Sequence, residues 1–483
     1  MRIAQARTHR RSLLTFLAVL IASSSLAGIP ATAAAEPAAP ATEPGHLGHA
    51  YQPSGGSLTG FGLPPKPPAK LDARLDPAQA RKRSRDRALA TKQFSYRDTS
   101  AVPLDQSGAL VPSSQTDAVP ITAATPPQVG RECLQQPGVF GEAGRVHNRF
   151  VWCQRYITGN IYERLVEGRP VEVGRSYFTF EAVGIGSPNS RDIKVYFRNV
   201  PGSVRYTGWS LIERYTVAPY LNWAVLPDCT QTDQYCFASD GATAHSFQTW
   251  DSNNPWVDWT ISSNAKGADP ADPDKVLYHD WHWHGEGSGG DFVYTPALSQ
   301  DYGLRCDSAD YFSLFGFRYP AACIFNDVVP HLQYDVGDSR VTTVAQHIRD
   351  AQDRPDTTYP TEDHAKLIPG KFTGNREAPG LHRVPGDGSI KADNTRLKDA
   401  ACLRTPPYEN TGLPVPPVSG VEDCDEYPFA TTEEGAANYF YDFSVRALPR
   451  AQNRSAGGLL NWYYFRDRVL YYQNDEFYTE IRP

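Results

Sequence analysis

The densest group of chemically reactive side chains lies between Cys424 and Gly435. This twelve-residue stretch, CDEYPFATTEEG, holds four carboxylates and a cysteine around a short apolar strand core. Successive side chains of a strand project to opposite faces, so only one of Asp425 and Glu426 can face a given site. The stretch therefore offers carboxylates that can accept protons or bind hard cations.

A second polar group follows about twenty residues later. The segment from Gln452 to Gly458 reads QNRSAGG and precedes a helical-looking segment from Leu459 to Arg468. We expect QNRSAGG to form a polar turn ahead of that helix. Carboxylates followed by an amide and an arginine are suited to holding a hard divalent cation beside a phosphate.

Together these motifs resemble the NucA/NucB family of secreted bacterial deoxyribonucleases, in which a CDEYP-type strand is followed by an acidic EEG element and an NR-x-AG turn. The resemblance covers roughly Lys371 to Pro483, under a quarter of the chain. It implies a small α+β nuclease domain of the ββα-metal type, in which a strand supplies the general base and a helix start supplies a metal ligand. That base is usually histidine, but the last histidine here is His382, so the resemblance implies that Asp425 takes the role.

Other roles follow from the resemblance and from the residue types. Asn453 and Glu434 would hold Mg²⁺ or Mn²⁺, and Arg454 would neutralise a nonbridging phosphate oxygen. Glu426 is a further catalytic candidate, although a carboxylate beside a catalytic one is more often a salt-bridge partner. A carboxylate base has an ordinary pKa near 4, so it must act by its position or have its pKa raised by burial and by its neighbour.

Charge is unevenly distributed along the chain. The net charge is −7 and the pI is about 6.0, which argues against DNA binding by bulk charge. Between Phe443 and Arg468, however, the sequence contains five arginines and only one acidic residue, Asp467. Arg454 already has a predicted role at the scissile phosphate, and the other four arginines are predicted to contact phosphates along the DNA. The alternative is that these arginines form a solvated helix face. These substrate-binding candidates are Arg446, Arg450, Arg466 and Arg468.

The first 35 residues predict an export signal. Arginines precede an apolar run from Leu13 to Ala22, and small residues with A-x-A sites follow. Arg10 and Arg11 leave twin-arginine export open as an alternative. We therefore expect a secreted, extracellular protein that does not insert into the membrane.

The eight cysteines predict disulfide bonds, since their number is even and export leads to an oxidising compartment. A metal site is the weaker alternative because the chain has no C-x-x-C pair. Short separations suggest four local pairs: Cys133 with Cys153, Cys229 with Cys236, Cys306 with Cys323, and Cys402 with Cys424.

Composition divides the rest of the chain. Residues 36–130 are rich in Pro and Ala and predict a largely disordered linker or propeptide, with one possible helix from Asp76 to Lys92. Residues 131–350 have frequent short strand patterns and predict an all-β, sandwich-like accessory domain. The nuclease-like domain is placed at 365–483.

The central domain shows no second catalytic motif, so we expect it to bind or localise, with a glycan or cell-surface ligand as one possible partner. Its tryptophans are predicted to be mainly core residues, with a binding platform as the alternative. His279, His282 and His284 lie in HDWHWHGE, where His282 and His284 are two residues apart and would share a strand face with Glu286. A zinc or copper site is one interpretation, and a polar strand edge is the favoured one.

These observations predict a secreted, metal-dependent, sequence-nonspecific endodeoxyribonuclease. One alternative is an exported antibacterial toxin with a C-terminal nuclease warhead. Another is an extracellular binding protein whose C-terminal domain has no activity. The residue pattern leaves open whether RNA is also cleaved.

Overall fold

The computed structural model of the protein describes residues 76–97, 99–105, 107–111, 124–229, 234–239, 241, 244–253, 256–295, 297–374 and 379–483. The predicted export signal and the first half of the predicted linker lie outside the described residues. No helix among those described is long and apolar enough to cross a membrane.

The described residues form seven α-helices and twenty-one strands. The helices are α1 (Pro77–Ala90), α2 (Gln128–Cys133), α3 (Glu213–Thr216), α4 (Phe247–Asn253), α5 (Thr342–Asp353), α6 (Ser389–Leu403) and α7 (Arg450–Arg466). The strands are β1 (Phe94–Arg97), β2 (Arg145–Asn148), β3 (Val151–Val166), β4 (Arg169–Gly186), β5 (Asp192–Asn199), β6 (Arg205–Thr207), β7 (Asn222–Cys229), β8 (Cys236–Ser239), β9 (His245–Ser246), β10 (Val257–Ser263), β11 (Leu277–Ser288), β12 (Val293–Thr295), β13 (Ala297–Leu298), β14 (Tyr302–Asp307), β15 (Ser313–Leu314), β16 (Phe317–Arg318), β17 (Ala322–Phe325), β18 (Val329–Asp335), β19 (Glu422–Tyr427), β20 (Ser444–Pro449) and β21 (Tyr478–Arg482).

Two antiparallel sheets make up the central region, which is mostly β as predicted. One sheet has the order β12-β3-β4-β5-β10-β8, and the other has the order β17-β14-β11-β7-β9. Both contribute to a single aromatic-rich core, in which Trp152 of β3 packs on Trp281 of β11 with ring centroids 5.5 Å apart. Trp223, Trp281 and Trp283 are at most 1% exposed, which confirms their predicted core role.

The histidines of β11 follow the alternation of that strand. Trp281 and Trp283 point into the core, and His282 and His284 point to the other face. His282 pairs with Asp301 at 3.3 Å, and His284 pairs with Glu286 at 3.2 Å. These two separate pairs fit a polar strand face better than a converging ligand set.

A third sheet is parallel and joins distant parts of the chain. Its order is β1-β18-β21, so β18 from the predicted central domain pairs directly with the last strand. The core that contains Leu459 and Tyr463 of α7 also contains Leu332 of β18 and Ile348 of α5. The hydrophobic core around the nuclease-like motifs therefore includes residues well before 365.

Part of the predicted linker is helical and docked. Helix α1 begins after Asp76, whose carboxylate accepts a hydrogen bond from the backbone N–H of Gln79 at 3.0 Å. Its arginines pair with carboxylates of later elements, as in Arg87 with Asp327 at 2.9 Å and Arg85 with Glu476 at 3.0 Å. These contacts hold α1 against the rest of the protein. The sequence predicted a possible helix here, from Asp76 to Lys92, within a segment whose composition predicted mainly disorder.

A short stretch after β1 packs across α7. Leu104 and Leu110 lie against the same core as α7. A Cβ added to Gly458 would lie 2.5 Å from the carbonyl oxygen of Gly108, and a Cβ on Gly108 would lie 2.5 Å from the Ser455 nitrogen. Glycine is therefore required at both positions by the close approach of the two backbones.

A buried ionic network connects the central sheets to the loop after α7. Asp475 accepts two hydrogen bonds of 2.7 Å from Arg149, and it also contacts Arg305. Both arginines are at most 1% exposed. Arg305 also donates to the backbone carbonyl of Arg468 at 2.7 Å. The loop that leads to β21 is thus held by charges from β14 and from the β2–β3 turn.

We expect Asp475→Ala to lower the free energy of unfolding by about 3–5 kcal/mol, because it leaves two buried guanidinium groups without their shared carboxylate. Urea denaturation followed by circular dichroism measures this loss. Asp310→Ala is the control, since its pair with Arg318 is exposed on both sides and should change stability by less than about 1 kcal/mol. Equal losses in the two variants would contradict a structural role for the buried network.

Four disulfide bonds join the pairs expected from the cysteine spacing, and no cysteine among the described residues is free. The bond between Cys402 and Cys424 ties α6 to β19. It therefore anchors the strand that carries Asp425 and Glu426.

Candidate active site

Strand β19 presents the adjacent carboxylates of Asp425 and Glu426 on opposite faces, as the alternation predicted. It pairs antiparallel with β20, with Asp425 opposite Arg446. Asp425 points towards α5, where its Oδ2 lies 2.6 Å from Nδ1 of His347. Glu426 points towards α6 and lies 4.0 Å from the ammonium group of Lys398. The two adjacent carboxylates therefore belong to different environments.

His347 connects Asp425 to the second strand of the hairpin. Its Nε2 lies 2.8 Å from the hydroxyl oxygen of Ser444 on β20, and the imidazole is fully buried. With both ring nitrogens engaged, the imidazole is fixed in orientation and so fixes Asp425 Oδ2. Asp425 itself is 7% exposed, which leaves a narrow opening to solvent.

Sequence reasoning missed His347 because it lies outside the motif region. A pattern in the sequence of α5 could have indicated its role, because Val344, Ile348 and Ala351 form a buried apolar face of that helix. His347 lies on the same side of the helix, and a histidine there needs a polar partner.

Helix α7 begins nine residues earlier than predicted. The segment from Gln452 to Gly458, predicted as a turn, lies within the helix Arg450–Arg466. Gln452 accepts hydrogen bonds from the backbone N–H and the hydroxyl of Thr343, at 2.8 and 2.9 Å, and thus joins the starts of α5 and α7. The two adjacent glycines suggested a turn, but Gly458 lies within the helix, where it allows the close approach of the Gly108 backbone.

Asn453 and Arg454 lie near the start of α7. The side chain of Arg454 is 53% exposed and lies 3.6 Å from Asp423, which is on the same strand face as Asp425. The amide of Asn453 has no hydrogen-bond partner among the residues that the structure describes. The helix start thus offers an unengaged amide and an accessible guanidinium next to the Asp423 face of β19.

The predicted arginine face is only partly available. Arg446 pairs with Asp350 at 2.8 Å, and Arg450 pairs with Asp423 at 3.0 Å; both are partly exposed. Arg466 is half-buried and lies over the ring of its neighbour Phe465. The prediction for Arg468 was wrong, because the residue is 2% exposed and its guanidinium pairs with Asp307 at 2.7 Å. Its position after the helix end turns it towards the central sheets instead of the surface.

Glu434 lies in a different cluster from Asn453. Its Oε1 is 2.7 Å from Nδ1 of His382, and its Oε2 accepts a hydrogen bond from the His382 backbone N–H at 2.8 Å. Glu433 completes a group whose possible ligand atoms all lie within 4.8 Å of one another. Glu434 is therefore brought together with its neighbour Glu433 and with His382, which was not predicted to share a site with it.

Burial raises the pKa of Glu426 to about 7, although the nearby Lys398 opposes the shift and Asp425 adds to it. A carboxyl group whose pKa is higher in the folded protein contributes stability below its unfolded pKa, and that contribution is lost as the pH rises towards the folded value. Glu426→Gln removes this titration. We expect its stability relative to wild type to improve as the pH rises from about 4.5 to about 7.

Urea denaturation of both proteins across that range measures the difference, and Asp399→Asn, which removes the other carboxylate beside Lys398, is the control. A stability difference that does not change with pH would contradict the assignment of the raised pKa to Glu426.

Comparison with known proteins confirms the resemblance of the C-terminal part. Residues 375–479 match the family model of deoxyribonuclease NucA/NucB. The matched range contains β19, β20 and α7 with Asp425, Asn453 and Arg454, whereas His347 precedes it. No curated protein and no solved structure matches the chain. The chain thus carries a nuclease-family domain at its C-terminal end.

Proposed function

We propose that the protein is a secreted, metal-dependent endodeoxyribonuclease that cleaves DNA without sequence preference. The match of residues 375–479 to a deoxyribonuclease family carries the proposal. The four disulfide bonds are consistent with an oxidising, extracellular location.

In this proposal Asp425 is the general base. It accepts a proton from the water that attacks the scissile phosphorus, and its Oδ1 is the oxygen available for this, because Oδ2 is held by His347 at 2.6 Å. His347 is a positioning residue, since its second nitrogen is fixed by Ser444 at 2.8 Å. Catalysis by a group whose geometry is fixed beforehand avoids the cost of orienting it during the reaction.

Residues of the α7 start bind the phosphate. Arg454 is exposed and loosely paired, so its guanidinium can contact a nonbridging oxygen while remaining near Asp423. Arg446, Arg450 and Arg466 provide further phosphate contacts at the rim. Contacts of this kind go to the DNA backbone, which explains an absence of sequence preference.

The residues at the α7 start fit a hard divalent cation. Asn453 offers an unengaged amide oxygen, and Mg²⁺ or Mn²⁺ commonly binds through one or two protein oxygens together with water and substrate phosphate. Such an ion, when bound, supplies charge stabilisation to the departing 3′ oxygen.

Cleavage of closed circular DNA tests the proposal. The purified protein with Mg²⁺ or Mn²⁺ should convert supercoiled plasmid to nicked and linear forms and then to a smear, because an endonuclease needs no free end. Discrete fragments would contradict the lack of sequence preference. Intact supercoiled plasmid, alongside degraded linear DNA, would indicate an exonuclease and would overturn the endonuclease assignment.

A further inference from the structure

We propose that His382, Glu433 and Glu434 form a binding site for a divalent transition-metal ion. The group shares no residue with the Asp425 site and lies on different elements: His382 precedes α6, and the two glutamates follow β19. Among the residues that the structure describes, no other group of three or more His, Cys, Asp and Glu residues has its possible ligand atoms within such a short range, 4.8 Å. The proposal does not depend on the nuclease activity.

The closest pair of ligand atoms has a separation suited to one coordination sphere. Nδ1 of His382 and Oε1 of Glu434 are 2.7 Å apart. Two adjacent ligands of a six-coordinate ion with bonds of about 2.1 Å lie about 3.0 Å apart. An ion can therefore replace the shared proton with a small outward shift of the two side chains.

The two carboxylates are held in place by their neighbours. Glu434 accepts from the His382 backbone at 2.8 Å through its other oxygen. Glu433 accepts from the amide of Gln473 at 2.7 Å, and its backbone N–H donates to the carbonyl of His382 at 2.8 Å. Supporting hydrogen bonds of this kind orient ligands before the ion arrives and strengthen metal binding.

The site is reachable from solvent. His382 lines an open cavity of about 350 Å³ between α1 and the segment that contains Gln473 and Glu476. Glu433 is only half-buried, whereas Glu434 is 5% exposed. Three protein ligands beside a cavity leave coordination positions for water, which is the pattern of an open site rather than of a closed structural one.

The ligand set indicates the class of metal. One imidazole and two carboxylates suit Mn²⁺, Fe²⁺, Ni²⁺ and Zn²⁺, whereas Mg²⁺ and Ca²⁺ prefer oxygen ligands alone. The site should therefore select a transition metal over Mg²⁺, in contrast to the all-oxygen environment proposed at Asn453.

Isothermal titration of the full secreted chain with Mn²⁺ or Zn²⁺ tests the site in the presence of excess Mg²⁺. We expect one ion to bind, with affinity at least about tenfold weaker in Glu433→Gln and in His382→Asn. Glu433→Gln keeps the size of the side chain and its contact with Gln473. Glu476→Gln, in the same cavity but outside the group, and Asn453→Ala should both bind as wild type.

A second measurement needs no variant. In the wild-type protein, Mn²⁺ should broaden the imidazole NMR signals of His382 and leave those of the exposed His364 unchanged. Absence of transition-metal binding, unchanged affinity in both ligand variants, or loss of binding in Asn453→Ala alone would overturn the proposal. Because the readout is binding, an inactive protein that still binds the ion would contradict the proposed nuclease function and not this site.

Discussion

Asp425→Asn should lower the rate of plasmid cleavage by about 10²- to 10⁴-fold, the range that a positioned general base contributes. Asparagine has the same shape and can still hydrogen-bond to His347 through its amide oxygen, but it cannot accept the proton from water. The fold should therefore be preserved. Initial rates on supercoiled plasmid at saturating Mg²⁺ measure the effect, with circular dichroism as the test of folding.

Two comparisons make this result specific. Asp393→Asn on α6 removes an exposed carboxylate paired with Arg396 and should cleave at the wild-type rate. His347→Asn should lose less activity than Asp425→Asn, because it disturbs only the orientation of the base. An Asp425→Asn protein that is folded and within tenfold of the wild-type rate would exclude Asp425 as the base.

A chain that begins at Pro360 should fail to fold, although the family match begins only at residue 375. Among the described residues, nineteen are buried in the core around α7, and eight of these precede Pro360, including Leu332, Tyr334 and Ile348. Each large apolar side chain contributes about 1.5–3 kcal/mol when buried, and a domain has only about 5–15 kcal/mol of net stability. The truncated chain also loses His347, and with it the partner of Asp425.

Far-ultraviolet and near-ultraviolet circular dichroism, together with thermal denaturation, measure this outcome. A chain that begins at Asp76 is the control, since it keeps every described element, and it should unfold cooperatively. If the chain from Pro360 also unfolds cooperatively and cleaves plasmid, the core residues before Pro360 are dispensable and the predicted boundary near 365 is supported.

The sequence predicted those features that depend on local patterns. Strand alternation correctly placed Asp425 and Glu426 on opposite faces, and short cysteine separations correctly indicated the disulfide pairs. The buried tryptophans followed from a β-rich central region. Each of these features is determined by residues close together in the chain.

Other features depend on contacts between distant residues. His347 meets Asp425 only because α5 packs across the β19–β20 hairpin. Arg468 was predicted to contact DNA because neighbouring residues are basic. Its guanidinium instead forms a buried ion pair with Asp307, which lies more than 150 residues earlier in the chain. The composition of the predicted linker also gave no indication that the stretch containing Gly108 packs on α7. A prediction from one sequence contains no information on such pairings.

The most direct test of the proposed function is the dependence of DNA cleavage on a divalent cation in the purified, folded protein. Cleavage of supercoiled plasmid should stop in EDTA and return when Mg²⁺ or Mn²⁺ is restored in excess. Asn453→Ala should then need a higher Mg²⁺ concentration for half-maximal rate, because a lost ligand weakens ion binding before it removes the chemistry. Unchanged cleavage in EDTA would contradict metal dependence, and no cleavage by the folded protein with either ion would contradict the assignment of a deoxyribonuclease.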